Sequence, residues 1–85
     1  MSEDLNKSTE ILAGIIKALS SSEEAVVLSD IRQGQTVEFT VRIPKAEAGR
    51  VIGKYGDVIK SLRAIMYGIT MHQHRLRSNI IVDPY

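Results

Sequence analysis

The clearest pattern in the chain runs from Thr36 to Ile43, where Val37, Phe39, Val41 and Ile43 alternate with Thr36, Glu38, Thr40 and Arg42. A period of two predicts a strand with one face in a core and the other in water. Upstream, Ala25 to Arg32 holds Val26, Val27, Leu28 and Ile31 and predicts a second strand, although its apolar positions do not choose a face. Gln33-Gly34-Gln35 between the two strands predicts a hairpin turn. Earlier still, Ile11, Leu12, Ile15, Ile16 and Leu19 recur at helical spacing and predict a helix over about Ser8 to Leu19. Ser8 or an earlier Ser or Asn is the expected cap, and Leu5 continues the pattern upstream. The polar run Ser20-Ser21-Ser22-Glu23-Glu24 ends that helix as a loop.

Beyond Ile43 the period changes. Pro44 stops the strand and suits the first turn of a helix, because its φ is fixed and its N–H is not needed there. Lys45 to Ile52 is the expected short helix, ended by Gly53. A longer one follows from about Asp57 to His72, with Val58, Ile59, Leu62, Ile65, Met66 and Ile69 as its apolar stripe and Lys60 and Arg63 off the stripe's centre. Ser78-Asn79 leads into a last short strand, Ile80-Ile81-Val82, before Asp83-Pro84-Tyr85. The order is α-β-β-α-turn-α-β. The hairpin pairs antiparallel, and a right-handed crossover through two helices returns the last strand parallel to the second. This predicts an α+β fold, a three-stranded mixed sheet with helices on one face.

Eighty-five residues, 44% apolar and 25% charged, make one domain of ordinary globular composition and rule out wholesale disorder. The absence of cysteine excludes a disulfide scaffold and a thiolate metal site. No apolar run reaches membrane-spanning length, and the acidic start Met1-Ser2-Glu3-Asp4 is unlike a signal peptide, so a cytoplasmic protein without membrane contact is expected. The net charge of +1 hides a segregation: residues 1–24 carry a net −3, whereas residues 45–77 carry seven basic and two acidic side chains. Such an arrangement fits a surface that meets phosphates, and equally a solvated face with basic residues near helix ends.

The basic segment also contains Val51-Ile52-Gly53-Lys54-Tyr55-Gly56-Asp57-Val58-Ile59-Lys60. Two glycines three apart, between apolar pairs, predict a tight turn from one helix into the next. Glycine takes positive φ cheaply and lets another backbone approach, and a turn entering a helix offers free N–H groups and the positive end of its dipole. Lys54 adds a mobile charge at the tip. The stretch from Gly49 to Tyr55 is only superficially a P-loop: the glycine gap is one residue short and Tyr55 stands where Ser or Thr belongs. His72 and His74 lie two apart, on different helix faces, and no third ligand accompanies them, so no metal site is expected. The Ser20–Ser22 run has no histidine partner and Glu23-Glu24 reads as solvated charge, so neither an enzyme nor a cofactor is expected.

The sequence I-G-K-x-G-x-x-I, flanked by strands in this order, resembles the KH domain in its prokaryotic (type II) form, whose GXXG loop clamps a four-nucleotide backbone. Arg50-Val51-Ile52-Gly53-Lys54, Ile59-Lys60 and Leu62-Arg63 resemble most sharply the small single-KH RNA-binding proteins of bacteria, the KhpA type. The likeness covers about residues 10–82 and leaves a short N-terminal extension. It implies an RNA chaperone that binds single-stranded RNA, forms a homodimer, and works with a larger multi-domain KH partner (KhpB, also called Jag) linked to cell-wall growth and cell shape. In that reading the RNA-binding residues are Arg50, Val51, Ile52, Gly53, Lys54, Tyr55, Gly56, Ile59, Lys60 and Arg63. The glycine backbone would approach the phosphates, with Lys54, Arg50 and Lys60 supplying charge. Val51, Ile52 and Ile59 would form an apolar floor under the bases while also serving the core. Asp57 departs from the basic or small polar residue common in the family, and Tyr55 is bulky for the turn, suited to stack on a base or to meet a partner. The competing readings are a dimerisation module with Tyr55, Met66, Tyr67 and Met71 as its surface, and a ribosome-associated assembly factor.

Overall fold

The computed structural model describes residues 2–20 and 23–85. Helix α1 covers Ser2–Ser20, strands β1 and β2 cover Val26–Arg32 and Thr36–Ile43, and helix α2 covers Lys45–Ile52. A single 3-10 turn, Lys54–Gly56, leads into α3, Asp57–His74, and β3 covers Arg77–Pro84. The sheet order is β1-β2-β3. Strands β1 and β2 run antiparallel from Val26↔Arg42 to Arg32↔Thr36, and β2 and β3 run parallel from Thr36↔Arg77 to Ile43↔Pro84. The mixed sheet and element order are those the hydrophobic pattern predicts.

At the hairpin, Gln33 and Gly34 have φ of 56° and 68°, and the Gln35 N–H donates to the Arg32 carbonyl at 3.1 Å. Positive φ at both central residues matches the right-handed twist of the strands it joins. The alternation along β2 is met in full: Val37, Phe39, Val41 and Ile43 are all completely buried. They pack beneath the helices with Leu12, Ile16, Val51, Leu62, Met66 and Ile80.

Paired residues share a sheet face, which settles the orientation of β1. Val27, Ser29 and Ile31 stand beside Val41, Phe39 and Val37 on the inner face, whereas Val26, Leu28, Asp30 and Arg32 point outward. Both faces of β1 therefore carry apolar residues, which is why its pattern chose neither. Among the described residues no helix covers the outer face. Leu28, Thr40 and Ile81 form one cross-strand row there, and Leu28 and Ile81 remain 53% and 39% exposed.

Four expectations need correction. Helix α1 begins at Ser2 rather than Ser8: Leu5, Ser8, Leu12 and Ile16 form its inner line, Ser8 is buried within it, and Ile11 is largely exposed. Ser21 and Ser22 of the expected loop lie outside the described residues. Helix α3 runs two residues further, to His74. Arg75 closes it in the left-handed conformation (φ 59°), with its N–H on the Met71 carbonyl and the Leu76 N–H on that of Thr70, a termination usually made by glycine. Within α3 the buried line is Ile59, Leu62, Met66 and Thr70, so Ile65 is half exposed while Thr70 is fully buried, its hydroxyl on the Tyr67 carbonyl. Strand β3 spans Arg77–Pro84, longer than Ile80-Ile81-Val82, because all eight of its residues pair with β2.

Candidate nucleic-acid interface

The α2–α3 turn is held by its own main chain. The Gly53 N–H closes α2 on the Gly49 carbonyl at 2.8 Å, the Gly56 N–H reaches the Gly53 carbonyl at 3.2 Å, and the Asp57 N–H bonds to that of Lys54. Gly53 sits at φ 80° and ψ 173°, a region that belongs almost entirely to glycine. A Cβ there would also collide with Asp57 Oδ1 and lie 2.8 Å from Val58 Cβ. Gly56, at φ 73° and ψ 19°, is needed for its backbone angles alone, since its nearest neighbour to such a Cβ is 3.8 Å away. Tyr55 shares the left-handed conformation, at φ 57° and ψ 22°.

Three properties suit this turn to an anion. Helix α3 starts with no side-chain cap, and the positive end of its dipole lies at Gly56. The Lys54 and Tyr55 N–H groups take no main-chain partner among the described residues. Among those residues Lys54 and Lys60 also form no ion pair, whereas Arg50 lies 3.7 Å from Glu47 and is partly compensated. Asp57, in the first turn of α3, favours the helix dipole but opposes a second negative charge.

Leading away from the turn, one flank of α3 lies beside the free edge of β3. Lys60, Arg63, Tyr67 and Met71 follow one another down that flank at spacings of three and four. Arg63 Nη2 reaches the Ile80 carbonyl at 3.2 Å and so fixes which side of α3 faces the strand. On β3 the Arg77 N–H donates to the Gln35 carbonyl and the Tyr85 N–H to that of Ile43. Residues bonded to the neighbouring strand alternate with residues facing away, so Ser78, Ile80 and Val82 present their main-chain groups to the open edge. Pro84 falls on the same parity, where its missing N–H removes no bond to β2.

The expected site residues divide accordingly. Gly53, Lys54, Tyr55 and Gly56 form the turn, Arg50 and Ile52 flank it with Ile52 exposed, and Lys60 and Arg63 follow on the flank of α3 that faces β3. Val51 is fully buried and Ile59 nearly so; both turn into the core because α2 and α3 pack there, and neither forms a floor open to bases. Met66 is likewise fully buried, which removes it from any partner surface. The edge-facing main-chain groups of Ser78, Ile80 and Val82 could not be named from the sequence, since their direction depends on strand register. Among the described residues no cluster of His, Asp and Glu could hold a metal, and no helix is long and apolar enough to cross a membrane.

A strand–helix–GXXG–helix–strand unit on a three-stranded mixed sheet defines a KH domain of the type II order. Residues 9–82 match the family model described as the KhpA/KhpB KH domain, and the chain belongs to that family, which is not one of enzymes. RNA-binding protein KhpA of Listeria monocytogenes is 29% identical over 73 residues, covering 85% of this chain and 96% of the relative. The protein of the same name from Chlamydia trachomatis is 32% identical over 60 residues, 71% and 77% of the two chains. That from Streptococcus pneumoniae is 26% identical over 73 residues, 86% and 90%. No solved structure matches the chain.

Proposed function

We propose that this protein binds single-stranded RNA, with the Gly53–Gly56 turn on the phosphates and the flank of α3 and the β3 edge on the bases. The observation that carries the reading is the turn itself: left-handed main chain, the N-terminal end of α3 and a Lys54 with no ion pair among the described residues meet at one exposed point. That several relatives are named RNA-binding proteins supports it. Unpaired strands fit better than duplex, because the edge groups of Ser78, Ile80 and Val82 can meet only bases that are splayed out. An isolated domain with three or four phosphate contacts binds weakly, so action as an RNA chaperone fits a homodimer or a complex with a larger KH protein of the KhpB (Jag) type. Post-transcriptional control, a cytoplasmic location and a link to cell-wall growth and cell shape follow from the family likeness.

A second reading, an interaction module whose partner contacts most of the RNA, is favoured by the uncovered outer sheet face with Val26, Leu28 and Ile81. Titration of a labelled single-stranded RNA octamer against wild type and the Lys54→Asp, Tyr55→Asp double variant separates the two. The RNA-binding reading expects loss of binding with the circular dichroism spectrum intact. Unchanged binding rejects it, and sedimentation of the same samples tests self-association.

A further inference from the structure

The side chain of Tyr55 is left outside the fold. The residue is 87% exposed, the largest exposure of any large apolar residue described, so it contributes nothing to the core. Its main chain lies at φ 57°, where side chains other than those of Gly, Asn and Asp are disfavoured. An aromatic residue therefore occupies a strained position at which glycine is the better structural choice. Such strain at an exposed site points to a role off the chain. The Lys54 ammonium lies over one face of the ring, 5.6 Å from the centroid. One face is thus taken by a cation and the other is open to water.

We infer that Tyr55 is a stacking platform for one unpaired purine at the end of the strand held by the turn, beyond the α3 flank and the β3 edge. This rests on the turn binding RNA and adds to that reading a further contact and a base preference. Bases stack on aromatic rings through their π-faces, more strongly for purines. The cation on the far face polarises the ring. A duplex end cannot use the platform, because its terminal base is already paired and stacked on its own neighbour.

The test is an anisotropy titration of labelled oligo(A) and oligo(U) octamers with wild type, Tyr55→Phe, Tyr55→Leu and Tyr55→Gly, alongside thermal unfolding of each variant. Wild type and Tyr55→Phe are expected to prefer oligo(A). Tyr55→Leu and Tyr55→Gly should weaken oligo(A) binding by about tenfold and bring the two oligomers to similar affinity. Tyr55→Gly should at the same time unfold about 3 °C or more above wild type, since its backbone suits the position. A 2-aminopurine placed at the end of the oligomer should be quenched by wild type and not by Tyr55→Leu. If Tyr55→Leu keeps the full affinity, preference and quenching while Lys54→Ala weakens both oligomers, the platform is rejected and the turn keeps its role. If wild type binds neither oligomer, the RNA-binding reading falls first and the platform with it.

Discussion

Arg63 on α3 donates through Nη2 to the main-chain carbonyl of Ile80 at 3.2 Å, so a cation of the α3 flank is fastened to the edge of β3. The bond bridges 17 residues of chain and joins helix to strand. One of the edge acceptors is therefore already occupied, and Arg63 is less free to follow a phosphate than Lys60. Replacement of Arg63 by Ala should lower stability by about 1–2 kcal/mol, as expected for a partly buried bond from a charged donor. Lys60→Ala should leave stability within about 0.5 kcal/mol and weaken RNA binding alone. Urea unfolding and RNA titration of the two variants check the contrast; equal stability loss would remove the structural role given to Arg63.

The two glycines of the turn are not equivalent. Gly53→Ala meets both a forbidden backbone region and a collision with Asp57 and Val58, and should destabilise by more than about 2 kcal/mol. Gly56→Ala meets only the backbone term, about 1 kcal/mol, because space exists for its Cβ. Chemical denaturation should rank them in that order, and a larger effect at Gly56 would contradict the geometry.

Asp57 sets two electrostatic effects against each other. Asp57→Asn should raise RNA affinity by a few-fold at low salt, because the carboxylate stands beside the anion site. The same change should lower stability by about 0.3–1 kcal/mol, through loss of a negative charge at a helix start. Binding and thermal unfolding read the two signs separately.

The salt dependence counts the phosphate contacts. With Arg50, Lys54 and Lys60, and Arg63 if it leaves Ile80, the log–log slope of affinity against salt should be about −2 to −3 for a single strand. Lys54→Ala should make it shallower by about 0.7, and an unchanged slope would take Lys54 out of contact with phosphate.

Core packing in α3 gives a sharper contrast. Met66→Ala should cost about 2–5 kcal/mol because its side chain is fully buried, while Ile65→Ala should stay within about 0.5 kcal/mol. Denaturant midpoints of the two variants decide which neighbour faces the core.

That last pair marks where the sequence is a poor guide. Strand β2 could be read residue by residue because only one of its faces is apolar. The bounds of α2 followed from Pro44 and Gly53, which act through backbone chemistry alone. In α3 six apolar residues spread around more than one face, and the packing against α1 and the sheet chose Ile59, Leu62, Met66 and the polar Thr70 over Ile65. The polar start of β3, Arg77-Ser78-Asn79, has little strand preference of its own and is drawn into the sheet by its register with Thr36, Val37 and Glu38. The site divides in the same way. Gly53 and Gly56 were legible because their spacing encodes a turn, whereas the withdrawal of Val51 into the core and the tether on Arg63 depend on neighbours far along the chain.

Among the described residues helices roof only one side of the sheet, and Val26, Leu28 and Ile81 on the other side are exposed in the single chain. Heat unfolding then wets less new hydrocarbon than it would in a fold closed on both sides. Its heat-capacity increment should fall at or below about 1 kcal/mol/K, the lower end for a chain of this length. The curve of stability against temperature is then broad and shallow, and moderate cooling or warming changes the folded fraction little.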